Sequence, residues 1–160
     1  MGTNESMKKV FQTKLTDTST TDLEGIGVIR FEGAKVYKWV KYNSGSGPVT
    51  AVAGNTVVYH GDDAVVADSA AEVTMDLTDG ADITAGVLQA IIATGSYGWI
   101  QIKGIAVLTT ALTAGADGDQ LTSVGATDGT LDVVVTGAIK HIAGIAIDAS
   151  AKEVLLDCPW

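Results

Sequence analysis

The residues that could do chemistry are few and scattered. Two acidic segments come first: Asp76-Leu77-Thr78-Asp79-Gly80-Ala81-Asp82 and Asp117-Gly118-Asp119. Each puts carboxylates beside flexible glycines, and Ca²⁺ takes six to eight oxygens in a flexible shell. Neither has the ligand spacing of a helix–loop–helix calcium site. Asp-Gly is also turn chemistry in its own right, because it tolerates positive φ. Nucleophilic catalysis has little to build on. The chain has one cysteine, Cys158, and two histidines, His60 and His141. No Gly-x-Ser-x-Gly elbow is present, and Ser46 sits in a Gly45-Ser46-Gly47 loop. Gly25-Ile26-Gly27 starts like a phosphate-binding loop, but Arg30 stands where the third glycine belongs. One cysteine makes neither an intrachain disulfide nor a cysteine-based zinc site, so Cys158 reads as a small apolar filler. No catalytic residue, cofactor or metal is therefore expected.

The aromatic residues are more informative. In a strand, Lys35, Tyr37, Trp39 and Lys41 share one face, and Val36, Lys38, Val40 and Tyr42 the other. Two placements fit this pattern. Tyr37 and Trp39 can sit in the core with the lysine stems along the edge. Alternatively the face docks on a partner, since Trp and Tyr join large area to a polar handle. Taken as a docking surface, it comprises Arg30, Lys35, Tyr37, Lys38, Trp39 and Lys41. A second aromatic run, Tyr97-Gly98-Trp99-Ile100, places Trp99 at a barrel mouth or an intersubunit seam. The chain ends on Trp160, which is expected to pack on this domain or a neighbour. Trp99 and Trp160 are the candidate oligomer contacts.

These residues need a scaffold, and the composition describes one. The chain has 160 residues, 46% hydrophobic and 18% charged, with 19 Gly and 2 Pro. That is one domain's worth and too apolar to be disordered. Short Val/Ile/Thr-rich runs alternate with Gly and Asp throughout. The candidate strands are 26–31, 35–42, 49–52, 56–60, 73–77, 87–93, 98–103, 105–109, 120–124, 130–136, 141–147 and 153–157. Gly33-Ala34 reads as a hairpin turn. Residues 63–72 are the one Ala-rich stretch that admits a short helix. Many short strands with regular turns predict an all-β barrel or sandwich. Residues 1–24, polar and irregular, form an extended N-terminal arm, and residues 25–160 the β-rich domain.

Charge divides along the same line. Residues 1–41 hold seven Lys/Arg against five Asp/Glu, and residues 42–160 hold three against fourteen. The net charge of −9 argues against a nucleic-acid partner. It leaves a basic N-terminal part suited to an acidic partner. No run approaches the about 20 apolar residues of a membrane helix, and the polar residues after Met7-Lys8-Lys9 do not form a secretory signal. Residues 1–6 match short lipidation and glycosylation patterns that arise often by chance. The high apolar fraction reads as one core plus buried subunit contacts.

Several segments together resemble a known family. They are Gly25-Ile26-Gly27-Val28-Ile29-Arg30-Phe31-Glu32-Gly33 and Lys35-Val36-Tyr37-Lys38-Trp39-Val40-Lys41-Tyr42-Asn43. Residues 95–104, Ala114-Gly115-Ala116-Asp117-Gly118-Asp119 and Ala143-Gly144-Ile145-Ala146-Ile147-Asp148-Ala149 belong with them. The pattern resembles the capsid decoration (cement) proteins of tailed bacteriophages over roughly residues 25–160. The resemblance implies a β-rich structural module, not an enzyme. It would be made in the host cytoplasm and bound to the outside of the virion shell. There it would bridge copies of the major capsid protein, often as a homotrimer, with the arm across neighbouring subunits. A head-fibre or receptor-binding module that recognises carbohydrate is the alternative expectation.

Overall fold

A computed structural model describes residues 10–61, 71–135 and 141–160. The proposed short helix at 63–72 lies almost wholly outside the described residues, as do the patterns at 1–6.

The described chain is all-β. Its strands are β1 (Ile29–Glu32), β2 (Lys35–Tyr42), β3 (Thr56–His60), β4 (Glu72–Thr74), β5 (Gly80–Leu88), β6 (Tyr97–Val107), β7 (Gln120–Thr122), β8 (Asp132–Val133), β9 (Gly144–Asp148) and β10 (Glu153–Asp157). A single 3₁₀ turn, Leu77–Asp79, is capped by the Asp76 side chain. All ten strands join in one sheet, in the order β1-β2-β4-β3-β5-β6-β10-β9-β7-β8. A further pairing of β2 with β6 closes the part β2-β4-β3-β5-β6 into a ring. The result is a five-stranded barrel, with β1 paired on the outer side of β2 and a four-stranded extension beyond β6. The barrel's one parallel contact is β2 with β4.

β6 is the spine of both parts. Along residues 97–103 it pairs with β2, and beyond that with β10, where Ile105 opposes Leu155. The sequence pattern divides it into two strands at Gly104. The chain instead continues as one strand through Gly104, which adopts φ +91 and lies against the hairpin turn. A Cβ there would come within 2.6 Å of the Ala34 carbonyl oxygen. The hairpin itself is as expected, with Gly33 at φ +60 between β1 and β2.

Two cores result. The larger fills the barrel and the inside of the extension, from Val40, Tyr42, Val57 and Ile100 to Leu121, Val154 and Leu156. The smaller lies outside the barrel wall: Tyr37, Trp39 and Trp99, with Phe11, Leu15, Val28 and Tyr97 packed on it. Residues 10–24 form the cover of this second core. They carry no helix or strand beyond a bridge of Ser19 with Tyr97.

Candidate functional site

Three places on the described chain stand out: the aromatic hairpin, a hydroxyl-lined cleft, and the outward face of the extension.

On the hairpin strand β2 the alternation read from the sequence holds, but both faces are inside. Tyr37 and Trp39 are buried on one face; Val36, Val40 and Tyr42 are buried on the other. Trp39 and Trp99 are cross-strand partners with ring centroids 5.2 Å apart. Phe11 meets the Trp99 ring edge-on at 5.5 Å. Each indole finds its acceptor on the covering segment. Trp39 Nε1–H donates to Asp22 Oδ1, and Trp99 Nε1–H to Thr13 Oγ1, both at 2.9 Å. Glu24 Oε1 then accepts three bonds of 2.7 Å, from the Thr13 hydroxyl and the N–H groups of Gln12 and Thr13. Arg30 lies over Phe11 and Trp99 and donates to the Thr13 carbonyl at 2.8 Å.

This corrects most of the expected docking surface. Tyr37, Lys38 and Trp39 are buried within the chain, and so is Trp99, expected at a seam. Residues 10–24 lie over the aromatic face, which leaves all three aromatics buried within the chain. Lys38 points into the barrel, where its Nζ donates to the Tyr59 hydroxyl at 3.0 Å. Burial lowers its pKa from the ordinary lysine value. Arg30 is occupied by the covering segment, and Lys41 lies 3.8 Å from Glu72. Lys35 remains exposed, and Trp160 is 60% exposed. Trp160 pairs with Phe31, itself 66% exposed, at 5.8 Å, and Lys103 Nζ stands 5.1 Å from the Trp160 ring. An aromatic and basic corner therefore exists, made of Phe31, Lys35, Lys103 and Trp160.

The acidic segments serve as turn chemistry. Asp76 is buried and accepts from Gly47 N–H at 2.8 Å and from the Thr78 hydroxyl at 2.6 Å. Burial works to raise its pKa, but the bonds from Thr78 and Gly47 outweigh it and hold the carboxyl below its usual range. Asp79 accepts from Ser46 N–H. Asp117 and Asp119 accept from Ala149 N–H and Ala116 N–H, each at 2.8 Å. Among the described residues no group of three or more His, Cys, Asp or Glu is arranged to hold a metal ion. Cys158 is core: it is buried, with its thiol pushed up to about 12 by that burial.

The cleft, about 580 Å³, lies between the covering segment, the loop around Pro48 and residues 91–96. Thr18, Thr20, Ser44, Thr94 and Ser96 line it, with Ile91 and Pro48 as apolar contacts. Among the described residues that line it there is no carboxylate, imidazole, amine or thiol. Its one titratable group, Tyr42, is pushed up to about 12 by burial and donates to the Val49 carbonyl at 2.7 Å. Such a surface can hold a neutral, hydroxyl-bearing ligand.

The outward face of β6, β10 and β9 was not anticipated as a surface. Ile105, Leu155 and Ile145 stand in one row across the three strands, with Val107 and Ile147 beside them. All five are 40–62% exposed. The inward residues of the same strands, Ala106, Val154 and Ala146, are buried. The available signal was a strand apolar on both faces. Ile145-Ala146-Ile147 and Val154-Leu155-Leu156 read as strands covered on two sides.

Comparison with protein-family models, with curated proteins and with solved structures finds no match for this chain.

Proposed function

We propose that this chain is a structural virion protein that decorates the outside of a tailed-phage capsid. It stabilises the shell by bridging copies of the major capsid protein. The observation that carries this reading is the corner of Phe31, Lys35, Lys103 and Trp160. A chain of net charge −9 there exposes two large aromatic rings beside Lys35 and the Lys103–Asp157 ion pair. Aromatic anchors of this kind dominate binding energy at protein interfaces. Lys35, exposed there, favours an acidic protein surface, whereas Lys103 is paired with Asp157. The corner rides on β1, the start of β2, β6 and the C-terminus, so a sheet fixes its shape. The segments that resemble decoration proteins coincide with β1–β2, β6, the turn before β7 and β9. Many identical weak contacts on one shell would add to firm occupancy through effective concentration.

The test is occupancy of undecorated capsids by a Phe31→Ser/Trp160→Ala variant and by Lys35→Glu. The aromatic variant should lose at least about tenfold in affinity. Lys35→Glu should weaken binding mainly at low salt. Unchanged occupancy for both variants across salt concentrations would overturn the reading.

The hydroxyl-lined cleft favours a second reading, a head-fibre or receptor-binding module for carbohydrate. Reproducible glycan-array hits abolished by Ser96→Val would support it over decoration.

A further inference from the structure

We infer that the hydroxyl-lined cleft takes an uncharged sugar, and that the sugar locks residues 10–24 over the tryptophan core. The inference rests on the carbohydrate reading of that cleft and is independent of the capsid reading.

The cleft has a built polar floor. Ser96 is 8% exposed, yet its hydroxyl has no partner among the described residues. Its backbone is fully used: the N–H donates to the Ala93 carbonyl and the carbonyl accepts from Tyr42 N–H, both at 2.9 Å. A hydroxyl held this deep, and opening on a cleft, is completed by what enters the cleft. The hydroxyls of Thr18, Thr20, Ser44 and Thr50 line the same space and are also unpaired among the described residues. Sugar hydroxyls donate and accept at once, as these do. Pro48 and Ile91, the latter 66% exposed, offer apolar contact to the C–H face of a pyranose ring. Charge narrows the class further. The lining residues bear no cation and the chain carries −9, so a carboxylated sugar meets a repulsive field and no counter-charge.

The lock follows from which parts of the chain form the walls. Thr18, Ser19 and Thr20 belong to the covering segment, whereas Ile91, Thr94 and Ser96 belong to the chain leading into β6. Ser19 and Tyr97 tie the two walls at one point, by bonds of 3.0 and 2.7 Å. The same segment carries Thr13 and Asp22, the acceptors of both buried indole N–H groups. A sugar that touches both walls binds while the segment is closed, so occupancy favours the closed state.

Nuclear magnetic resonance of the full chain tests the class and the lock together. Methyl glucoside, methyl galactoside and N-acetylglucosamine are the neutral probes; glucuronic acid and N-acetylneuraminic acid are the charged ones. At least one neutral sugar should bind at least about tenfold more tightly than either acid. Ser96→Ala should weaken that binding at least about threefold, and so should Thr20→Ala at its exposed position. Without sugar, the indole N–H groups of Trp39 and Trp99 should exchange faster than the Leu88 N–H, which donates to the Asn55 carbonyl inside the barrel. With sugar at about ten times its Kd, indole exchange should slow about elevenfold. Binding that leaves indole exchange unchanged overturns the lock and leaves the carbohydrate reading standing. Indoles that exchange no faster than Leu88 would show that the segment opens only with the whole fold, which also overturns the lock. Equal or tighter binding of an acidic sugar overturns the uncharged class, and unchanged affinity in both variants places the sugar elsewhere. No binding by any neutral probe overturns the inference; only if a glycan array is also blank does the carbohydrate reading fall with it.

Discussion

The two apolar surfaces outside the barrel are built from different residues and have different fates. One is aromatic: Tyr37, Trp39, Tyr97 and Trp99, lying under residues 10–24 of the same chain. The other is aliphatic, on β6, β9 and β10, and lies bare among the described residues. An indole brings an N–H that must be satisfied wherever it is buried. The covering segment supplies Thr13 and Asp22 for that purpose, and Glu24 holds the segment in shape. Aliphatic side chains ask only for area and shape, which another molecule can supply after folding. Covalent attachment makes the aromatic contact obligatory. The aliphatic one has no such cover among the described residues.

The covered side should therefore give the largest stability losses. Trp39→Ala removes a fully buried ring packed on Trp99 and Tyr97. It should cost about 3–5 kcal/mol in denaturant unfolding. A loss below about 1 kcal/mol would mean that the segment does not seal this core, and the contrast would fail.

A smaller loss should come from the polar link alone. Thr13→Val keeps the volume but removes the acceptor of Trp99 Nε1–H and one donor to Glu24. An unsatisfied buried donor of this kind costs about 1–3 kcal/mol. Quenching of tryptophan fluorescence by acrylamide should rise in parallel if the segment loosens. Loss of stability without added quenching would place the cost in the hydrogen bond and not in the cover.

Much of the fold could be read from the sequence, and the failures have physical causes. β3 and β10 fall where the Val/Ile-rich runs put them, and Gly33 makes the expected hairpin. β5 does not: the strand runs Gly80–Leu88, through positive φ at Asp82 and Gly86, which read locally as turns. At Gly86 a Cβ would come within 2.4 Å of the Gln101 carbonyl oxygen, so the glycine serves close strand approach. Residues 49–52 form no strand, because they belong to the loop that packs over Tyr42. The aromatic stripe on β2 was legible as a stripe. Its burial was one of the two placements the stripe allowed, because periodicity cannot say which segment of the chain will cover a face. The bare face is hidden in the sequence for the converse reason. Alternating Ile, Ala and Leu look like core from either side, and only the tertiary fold shows which side is left open.

The smallest effect is the most discriminating. Leu155→Thr changes one residue at the centre of the bare face and keeps a side chain suited to a strand. In a dilute, dissociated chain it should shift unfolding by no more than about 0.5 kcal/mol, as surface substitutions do. A chain that associates through this face gains stability by mass action at high protein concentration, since only the folded chain presents the face. The variant should lack that gain, so the difference in Tm should widen as concentration rises. A constant penalty of about 1–2 kcal/mol at every concentration would mean that Leu155 is covered within its own chain. The two surfaces would then be alike, each sealed by covalently linked residues. A difference that grows with concentration keeps them apart and identifies the extension as the part of the molecule completed by association.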